Sequence, residues 1–198
     1  EQLGEAYRKI NPQCTVPALR TQDGTVLADN AAITAYLEAC YPEPPLLGIT
    51  PNEKAEIASW NWRVEFEGFM AIAEALRNSA PAMANRALPG QANYPQIPEL
   101  AQRGLARLQQ FLVMLNERLA ERHFIATDRF SAADITAVVA LDFARVVQVR
   151  LGEQHPHLPR GRAAIPARTS RSPWPGPART RPTPSPPAAP QRWRVPPG

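Results

Sequence analysis

The chain has 198 residues, including 23 prolines, 22 basic residues and 18 acidic residues, and a net charge of +4. This length can bury a core without disulfides. The charge is uneven, because residues 159–198 hold 12 prolines, 8 basic residues and no acidic one. Residues 1–158 therefore carry a net charge of −4, which excludes, on net charge, a nucleic-acid-binding surface on the folded part.

No apolar run approaches the roughly 18 residues that a membrane-spanning helix needs, and no charged-then-apolar leader opens the chain. These features favour a soluble, cytoplasmic protein with no membrane partner. The two cysteines and three histidines lack the spacing and partners of a metal site, so we expect no metal and no disulfide. Glu1 opens the chain in helix-like sequence, so we expect a missing upstream segment.

The first elements in the chain are a short helix and a hairpin. A helix over residues 1–10 ends at Asn11-Pro12, because the residue before proline is pushed out of the helical region. Two strands follow, at Val16–Leu19 and Thr25–Ala28. The turn Gln22-Asp23-Gly24 between them predicts an antiparallel pair.

A second helix, over Ala31–Cys40 with Asn30 as its N-cap, follows the hairpin. The proline-rich residues 41–45 end this helix and read as an extended linker between domains. The predicted divisions are a first domain over 1–44, a linker over 45–51, a second domain over 52–158 and a tail over 159–198.

The second domain has a helical period throughout. A helix over Asn52–Ser79 carries one predicted apolar stripe, and a later helix carries five leucines on one face. From Ser131 to Val149 the sequence is apolar nearly all round, as in a helix buried inside a bundle, and Ser131 and Asp134 form a capping box at its start. The stripe consists of Trp62, Phe66, Phe69, Ile72, Ala73 and Leu76, and the leucines are Leu105, Leu108, Leu112, Leu115 and Leu119.

The tail over 159–198 has too few apolar side chains to offset the entropy of ordering, so we expect disorder. It has three interpretations: a Pro/Arg-rich interaction arm, a last helix, which the sequence fails to support, and the product of a reading-frame change. We favour the third interpretation, because acidic residues stop abruptly at the tail.

One compound motif carries binding chemistry. The Val16-Pro17 dipeptide at the mouth of a strand suits a cis peptide bond, which exposes backbone to which a peptide-like ligand can pair as an added strand. The helix N-terminus near Asn30 offers amides to a carboxylate, and Asp29 can accept from an amine. A ligand with a peptide backbone and an amino-acid head group would satisfy both.

Four motifs together resemble the glutathione S-transferase family of the cytosolic, bacterial, theta-like type. The resemblance covers residues 1–158 and implies an α/β thioredoxin-like N-terminal domain, here incomplete, plus an all-α helical-bundle C-terminal domain. The motifs are Asn11-Pro-Gln-Cys-Thr-Val-Pro-Ala-Leu, Asp23-Gly-Thr-Val-Leu-Ala-Asp-Asn-Ala-Ala-Ile-Thr-Ala-Tyr-Leu-Glu, Tyr41-Pro-Glu-Pro-Pro-Leu-Leu-Gly and Phe130-Ser-Ala-Ala-Asp-Ile.

The resemblance implies a detoxifying cytosolic homodimer that conjugates the thiol of glutathione, its co-substrate, to small hydrophobic electrophiles. Val16 would bind the cysteinyl backbone of glutathione with Pro17 cis, and Asp29 and Asn30 would hold its γ-glutamyl head. Relatives commonly place Glu or Gln followed by Ser at these last two positions, so we expect weaker or altered contact here.

The residue that activates the thiol, a Ser, Tyr or Cys in the family, is expected upstream of this chain, so no catalytic residue is assigned. Cys14 is interpreted as a small loop residue. Trp60, Trp62 and Phe66 are candidates for the wall of the substrate pocket, although aromatic stripes are more often core.

Arg63 and Arg77 are candidates for attracting anionic ligands, beside roles as surface charges. Two alternative functions stay open: a non-catalytic interaction or ligand-binding module of the same fold, and a defective truncated product.

Overall fold

The computed structural model describes residues 2–159, so the predicted tail lies outside the described residues except for Pro159. A small α/β part precedes a bundle of helices, as the fold class predicted. The elements are α1 (Glu5–Arg8), β1 (Leu19–Arg20), β2 (Val26–Leu27), α2 (Asn30–Cys40), α3 (Pro51–Arg63), a π-helical turn (Val64–Phe69), α4 (Met70–Ser79), α5 (Pro98–Glu121) and α6 (Ala132–Phe143), with short 3₁₀ turns at Pro81–Met83 and Ala144–Val147.

The hairpin has the predicted antiparallel pairing but shorter strands. Leu19 pairs with Leu27, and Arg20 pairs with Val26. Strand β1 therefore begins at Leu19, although the predicted strand began at Val16. Pro17 has no N–H to donate to a ladder, which is consistent with pairing that begins only after it. Gly24 lies in the turn with a φ of +89°, a conformation that favours glycine.

The predicted helix over 52–79 is continuous but contains a π-helical turn at Val64–Phe69. A π turn accommodates about one extra residue, so side chains before and after it lie on different faces. The single predicted stripe is wrong for this reason: Trp62 is 59% exposed, whereas Ile72 is fully buried. Arg107 donates to the carbonyl of Phe66 at 2.7 Å, which satisfies an acceptor in the π turn.

Helices α4, α5 and α6 supply most of the main core. Leu105 is exposed, so one of the five predicted leucines does not belong to this core. Helix α6 was predicted to be buried all round to Val149, but it ends at Phe143, and Ile135 and Val139 on one face are exposed. The buried core residues are Val64, Ala71, Ile72, Leu108, Phe111, Leu112, Leu115, Leu119, Ile125, Ala137, Ala140, Leu141, Ala144 and Leu158.

Hydrogen bonds join the segment between α2 and α3 to both parts of the fold. The carboxylate of Glu38 in α2 accepts from the N–H groups of Leu46 and Leu47, at 3.2 and 2.8 Å. The carbonyl of Leu46 in turn accepts from the N–H of Ala132, the first residue of α6, at 3.0 Å. This segment is thus bonded on both sides. The domain limits at 44 and 52 stay a prediction.

Within residues 2–159, every helix is too short or too polar to span a lipid bilayer.

A capping box at the start of α3 makes the stability of the fold depend on pH. The hydroxyl of Thr50 accepts from the N–H of Glu53, and the Glu53 carboxylate accepts from the N–H groups of Thr50 and Ile49. These backbone bonds, and then the charge of Arg129, hold the pKa of Glu53 below its ordinary value. The stability that they add is complete above the ordinary pKa and is lost as the pH falls through the lowered one.

We therefore expect Glu53→Gln to lower the free energy of unfolding at pH 7, and the deficit to shrink below about pH 4. Urea unfolding between pH 3 and pH 7 measures this difference. Glu56→Gln, in the same helix, controls for the loss of one negative charge. A deficit of the same size at pH 3 and pH 7 would contradict the assignment.

Candidate functional site

The loop before Val16 is fixed by hydrogen bonds to the carbonyl of Thr15. The hydroxyl of Tyr7 donates to this carbonyl at 2.6 Å, and the side-chain amide of Asn11 donates to it at 2.8 Å. Asn11 is only 2% exposed, and its Oδ1 accepts from the N–H of Gln13. Asn11 lies three residues after the end of α1, and its side chain supports the loop that presents the next residues.

Val16 presents its backbone to solvent. The Val16-Pro17 peptide bond is cis, which confirms the prediction for this bond. Val16 is 63% exposed, and within residues 2–159 neither its N–H nor its carbonyl forms a hydrogen bond. An N–H and a carbonyl left open on one residue can pair with an extended peptide.

The start of α2 differs from the prediction in one respect. Asn30 was predicted to be the N-cap, but Asp29 takes this position, because Asp29 has an extended backbone and Asn30 is the first residue of α2. Oδ1 of Asp29 accepts from the N–H of Ala32 at 2.8 Å. Asp29 and Asn30 are both exposed. The first-turn amides can attract an anion, and the second carboxylate oxygen can accept from an ammonium group.

A cavity of about 140 Å³ lies beside Val16. The preceding loop contributes Cys14, and the helical part contributes Arg77, Arg86 and Gly90. A larger concavity of about 470 Å³ lies at the end of α5, among Glu121, Arg122, His123 and Asp128. We take the smaller cavity as the candidate site, because the larger one contains none of the predicted residues.

Two interactions set the wall of the smaller cavity. The side chain of Gln91 donates to the carbonyl of Pro12, which joins the connection between α4 and α5 to the loop before Val16. Nη1 of Arg77 donates to the carbonyl of Arg86 at 2.9 Å. Burial, followed by the positive charge of Arg86, lowers the pKa of Arg77.

The three predicted aromatic pocket residues do not line this cavity. Trp60 is partly buried, and the guanidinium groups of Arg63 and Arg118 lie 5.0 and 4.8 Å from the centroid of its ring. Trp62 and Phe66 stack on the outside of the helix with their ring centroids 5.0 Å apart. Phe66 is eleven residues before Arg77, or about 16 Å along a helix. Their pocket role stays a prediction.

The connection between α4 and α5 holds a cavity residue that the sequence reasoning missed, Arg86. This connection has no regular period that would place its side chains, so the available signal was composition alone. Arg77 was a candidate, and it does line the cavity. Cys14 is buried in left-handed backbone with a φ of +57°, and its thiol lies 3.7 Å from the carbonyl of Pro12.

Comparison with known proteins gives relatives for both parts of the chain. The family model described as "Glutathione S-transferase, N-terminal domain" matches residues 1–40, and "Glutathione S-transferase, C-terminal domain" matches residues 79–166. A glutathione S-transferase domain-containing protein of Marinobacter aquaeolei VT8 has a similar structure. Its TM-score is 0.76 at 34% identity, over 85% of this chain and 80% of that one.

Curated relatives agree with this likeness. Glutathione S-transferase 2 of Saccharomyces cerevisiae is 34% identical over 71% of this chain. The match covers 58% of the length of that protein. Elongation factor 1-gamma 1 of rice is 30% identical over 78% of this chain, but this chain spans only 34% of it.

The glutathione S-transferase GstA of Escherichia coli O157:H7 is 30% identical over 77% of this chain and is matched over 69% of its own length. With both family models and the solved structure in agreement, this match shows that the chain belongs to the glutathione S-transferase family.

Proposed function

We propose that this protein binds glutathione at Val16 and the start of α2, and that it transfers the glutathione thiol to an electrophilic, mostly apolar compound. The open N–H and carbonyl of Val16 are the observation that carries the proposal. Membership of the family supports it, since named relatives are glutathione S-transferases.

The two halves of the proposed site suit the two ends of glutathione. The cysteinyl backbone of the tripeptide would pair with the N–H and carbonyl of Val16 as an added strand. The α-carboxylate of the γ-glutamyl head would lie at the first-turn amides of α2, which has 11 residues. The head's ammonium group would donate to the second oxygen of Asp29, in a charge-assisted hydrogen bond.

The proposed reaction is a nucleophilic substitution or addition at carbon. The thiol gives its proton to solvent, and the thiolate forms a carbon–sulfur bond. In an addition, the π bond of the electrophile breaks and its second carbon takes up a proton from solvent. With an aryl halide, the carbon–halogen bond then breaks and halide leaves. The resemblance implies that a Ser, Tyr or Cys stabilises the thiolate, and we assign this task to none of the residues 2–159.

A second candidate function is a non-catalytic module that serves association or ligand carriage. The match to elongation factor 1-gamma supports it, because that protein's name does not describe a transferase. Retention on immobilised glutathione, followed by assay with a chromogenic aryl halide, separates the two candidates. Turnover supports the transferase, and retention without turnover supports the module.

We further propose that the protein is a cytoplasmic homodimer that takes part in detoxification. As an alternative to their predicted pocket role, the exposed, stacked Trp62 and Phe66 support an interface, because large exposed apolar side chains that cluster mark interaction surfaces. Sedimentation velocity tests the dimer, and a concentration-independent monomer would contradict it.

Asp29→Asn separates capping from binding. Asparagine caps a helix about as well as aspartate, so we expect stability to change by less than about 0.5 kcal/mol. Asparagine cannot provide the negative charge that the ammonium group of glutathione needs, so we expect about tenfold weaker glutathione binding by titration calorimetry. Asp23→Asn, in the hairpin turn, is the control for charge. Unchanged glutathione affinity in Asp29→Asn would contradict the proposed role of Asp29.

A further inference from the structure

Two arginines without a carboxylate partner line the cavity beside Val16. Arg77 and Arg86 are both half-buried. Neither takes part in any of the ion pairs found within residues 2–159. A buried positive charge normally has a counter-charge, because burial without one costs free energy. The cavity thus holds two cations whose charge the described residues do not balance.

Hydrogen bonds hold this end of α4 in place. Nη1 of Arg77 donates to the carbonyl of Arg86 at 2.9 Å. Nε2 of Gln96 donates to the carbonyls of Arg77 and Ala80, at 2.8 Å in both cases. Oδ1 of Asn78 accepts from the N–H of Ile97 at 2.9 Å. The positive wall of the cavity is therefore built on a fixed backbone, which is what recognition of a ligand requires.

The electrostatics point to an anionic ligand. The pKa of Arg77 is lowered by burial and by Arg86, yet a guanidinium stays protonated at neutral pH. A carboxylate between two guanidinium groups would relieve their repulsion and accept charge-assisted hydrogen bonds. Val16 belongs to the same cavity wall, so a carboxylate bound there would lie close to the proposed position of the glutathione thiol.

We propose that the electrophilic co-substrate carries a carboxylate, which pairs with Arg77 and Arg86 in the cavity beside Val16. The inference rests on the proposed glutathione site and narrows its substrate class from apolar electrophiles to those with an anionic group. Glutathione has a glycyl carboxylate of its own, so the test must separate these two sources of negative charge.

The test uses the full chain and two glutathione conjugates that differ only in charge. One is S-(4-carboxy-2,6-dinitrophenyl)glutathione, and the other is its primary carboxamide. By titration calorimetry, we expect the carboxylate conjugate to bind about tenfold more tightly than the amide. Arg77→Gln should remove most of this preference while changing the affinity for glutathione itself by less than about twofold.

Two further variants keep the test decisive. Arg86→Gln leaves the backbone carbonyl that Arg77 binds in place, and it should also reduce the preference for the carboxylate. Arg145→Gln removes an exposed arginine that does not line the cavity, and it should retain the full preference.

Each contrary outcome has a distinct meaning. If the wild-type protein binds both conjugates equally, the anionic co-substrate is excluded, but the glutathione site stands. If the arginine variants weaken glutathione binding as much as conjugate binding, the arginines hold the glycyl carboxylate, and the inference is overturned. If neither glutathione nor either conjugate binds, the proposed function fails, and the inference fails with it.

Discussion

Asp134→Ala is expected to lower the free energy of unfolding by about 4 kcal/mol, the largest effect that we expect from removing a single polar side chain here. Asp134 is only 7% exposed. One carboxylate oxygen accepts from the N–H of Ile125 at 2.9 Å, and the other accepts from the N–H and the hydroxyl of Ser131, each at 2.9 Å. Alanine would leave two buried N–H groups without an acceptor, which is costlier than losing an exposed cap.

Urea unfolding followed by circular dichroism measures this effect. Asp134→Asn keeps the side-chain volume but turns an amide donor toward another donor, so we expect an intermediate loss of about 2 kcal/mol. Asp142→Asn is the matched control, because Asp142 is an exposed residue of α6 whose ion pair with Arg145 lies at the surface, and it should change stability by less than about 0.5 kcal/mol. A loss at Asp134 no larger than that at Asp142 would mean that these bonds do not stabilise the fold.

Gly104→Leu is expected to destabilise the protein by about 4 kcal/mol or to prevent folding, because α4 and α5 approach too closely for a side chain at this position. A Cβ atom on Gly104 would lie 2.7 Å from the carbonyl oxygen of Ala71 and 2.7 Å from the nitrogen of Ala75. Both are backbone atoms, which cannot move aside without displacing α4. Gly104→Ala should already cost about 2 kcal/mol, although alanine is the better helix former.

A position on the exposed face of α5 calibrates this effect. The Gln110→Ala and Gln110→Gly variants differ only in alanine or glycine at a position that is exposed to solvent. We expect the alanine variant to have the higher free energy of unfolding, by about 1 kcal/mol. At Gly104 the sign should reverse. If Gly104→Ala is stabilising, α4 and α5 can separate at little cost, and the close approach is not required.

Local signals in the sequence predicted most of the elements. Asp23-Gly24 identified the hairpin turn, Pro42 marked the end of α2, and the leucine spacing located α5. The first helix was predicted over residues 1–10, but α1 spans only Glu5–Arg8. The Ser131–Asp134 capping box also lies where the sequence predicted it. The Asp134 carboxylate accepts from the N–H of Ser131, as predicted, but the Ser131 hydroxyl donates to that carboxylate and was predicted to accept from a backbone N–H. These features depend on neighbours within about four residues, which a sequence displays directly.

The features that were missed depend on distant partners. Nothing in the sequence marks the π turn at Val64–Phe69, which is tied to α5 through Arg107 and Phe66 and which turned Trp62 outward. The cap at Thr50 could have been found, since Thr50 and Glu53 have capping-box spacing. The position of Arg86 beside Val16 could not have been predicted, because it depends on how the connection between α4 and α5 folds back toward the hairpin part.

The bonds from Glu38 through Leu46 to Ala132 have a consequence for how this protein comes apart. A flexible tether would let one half melt while the other survived. Here, separating the halves must break either the bonds of Leu46 and Leu47 to Glu38 in α2 or the bond of Leu46 to Ala132 in α6. Heat or denaturant should therefore unfold the thioredoxin-like part and the helical bundle in one cooperative step. A substitution that destabilises either part should then lower the free energy of unfolding of the whole protein.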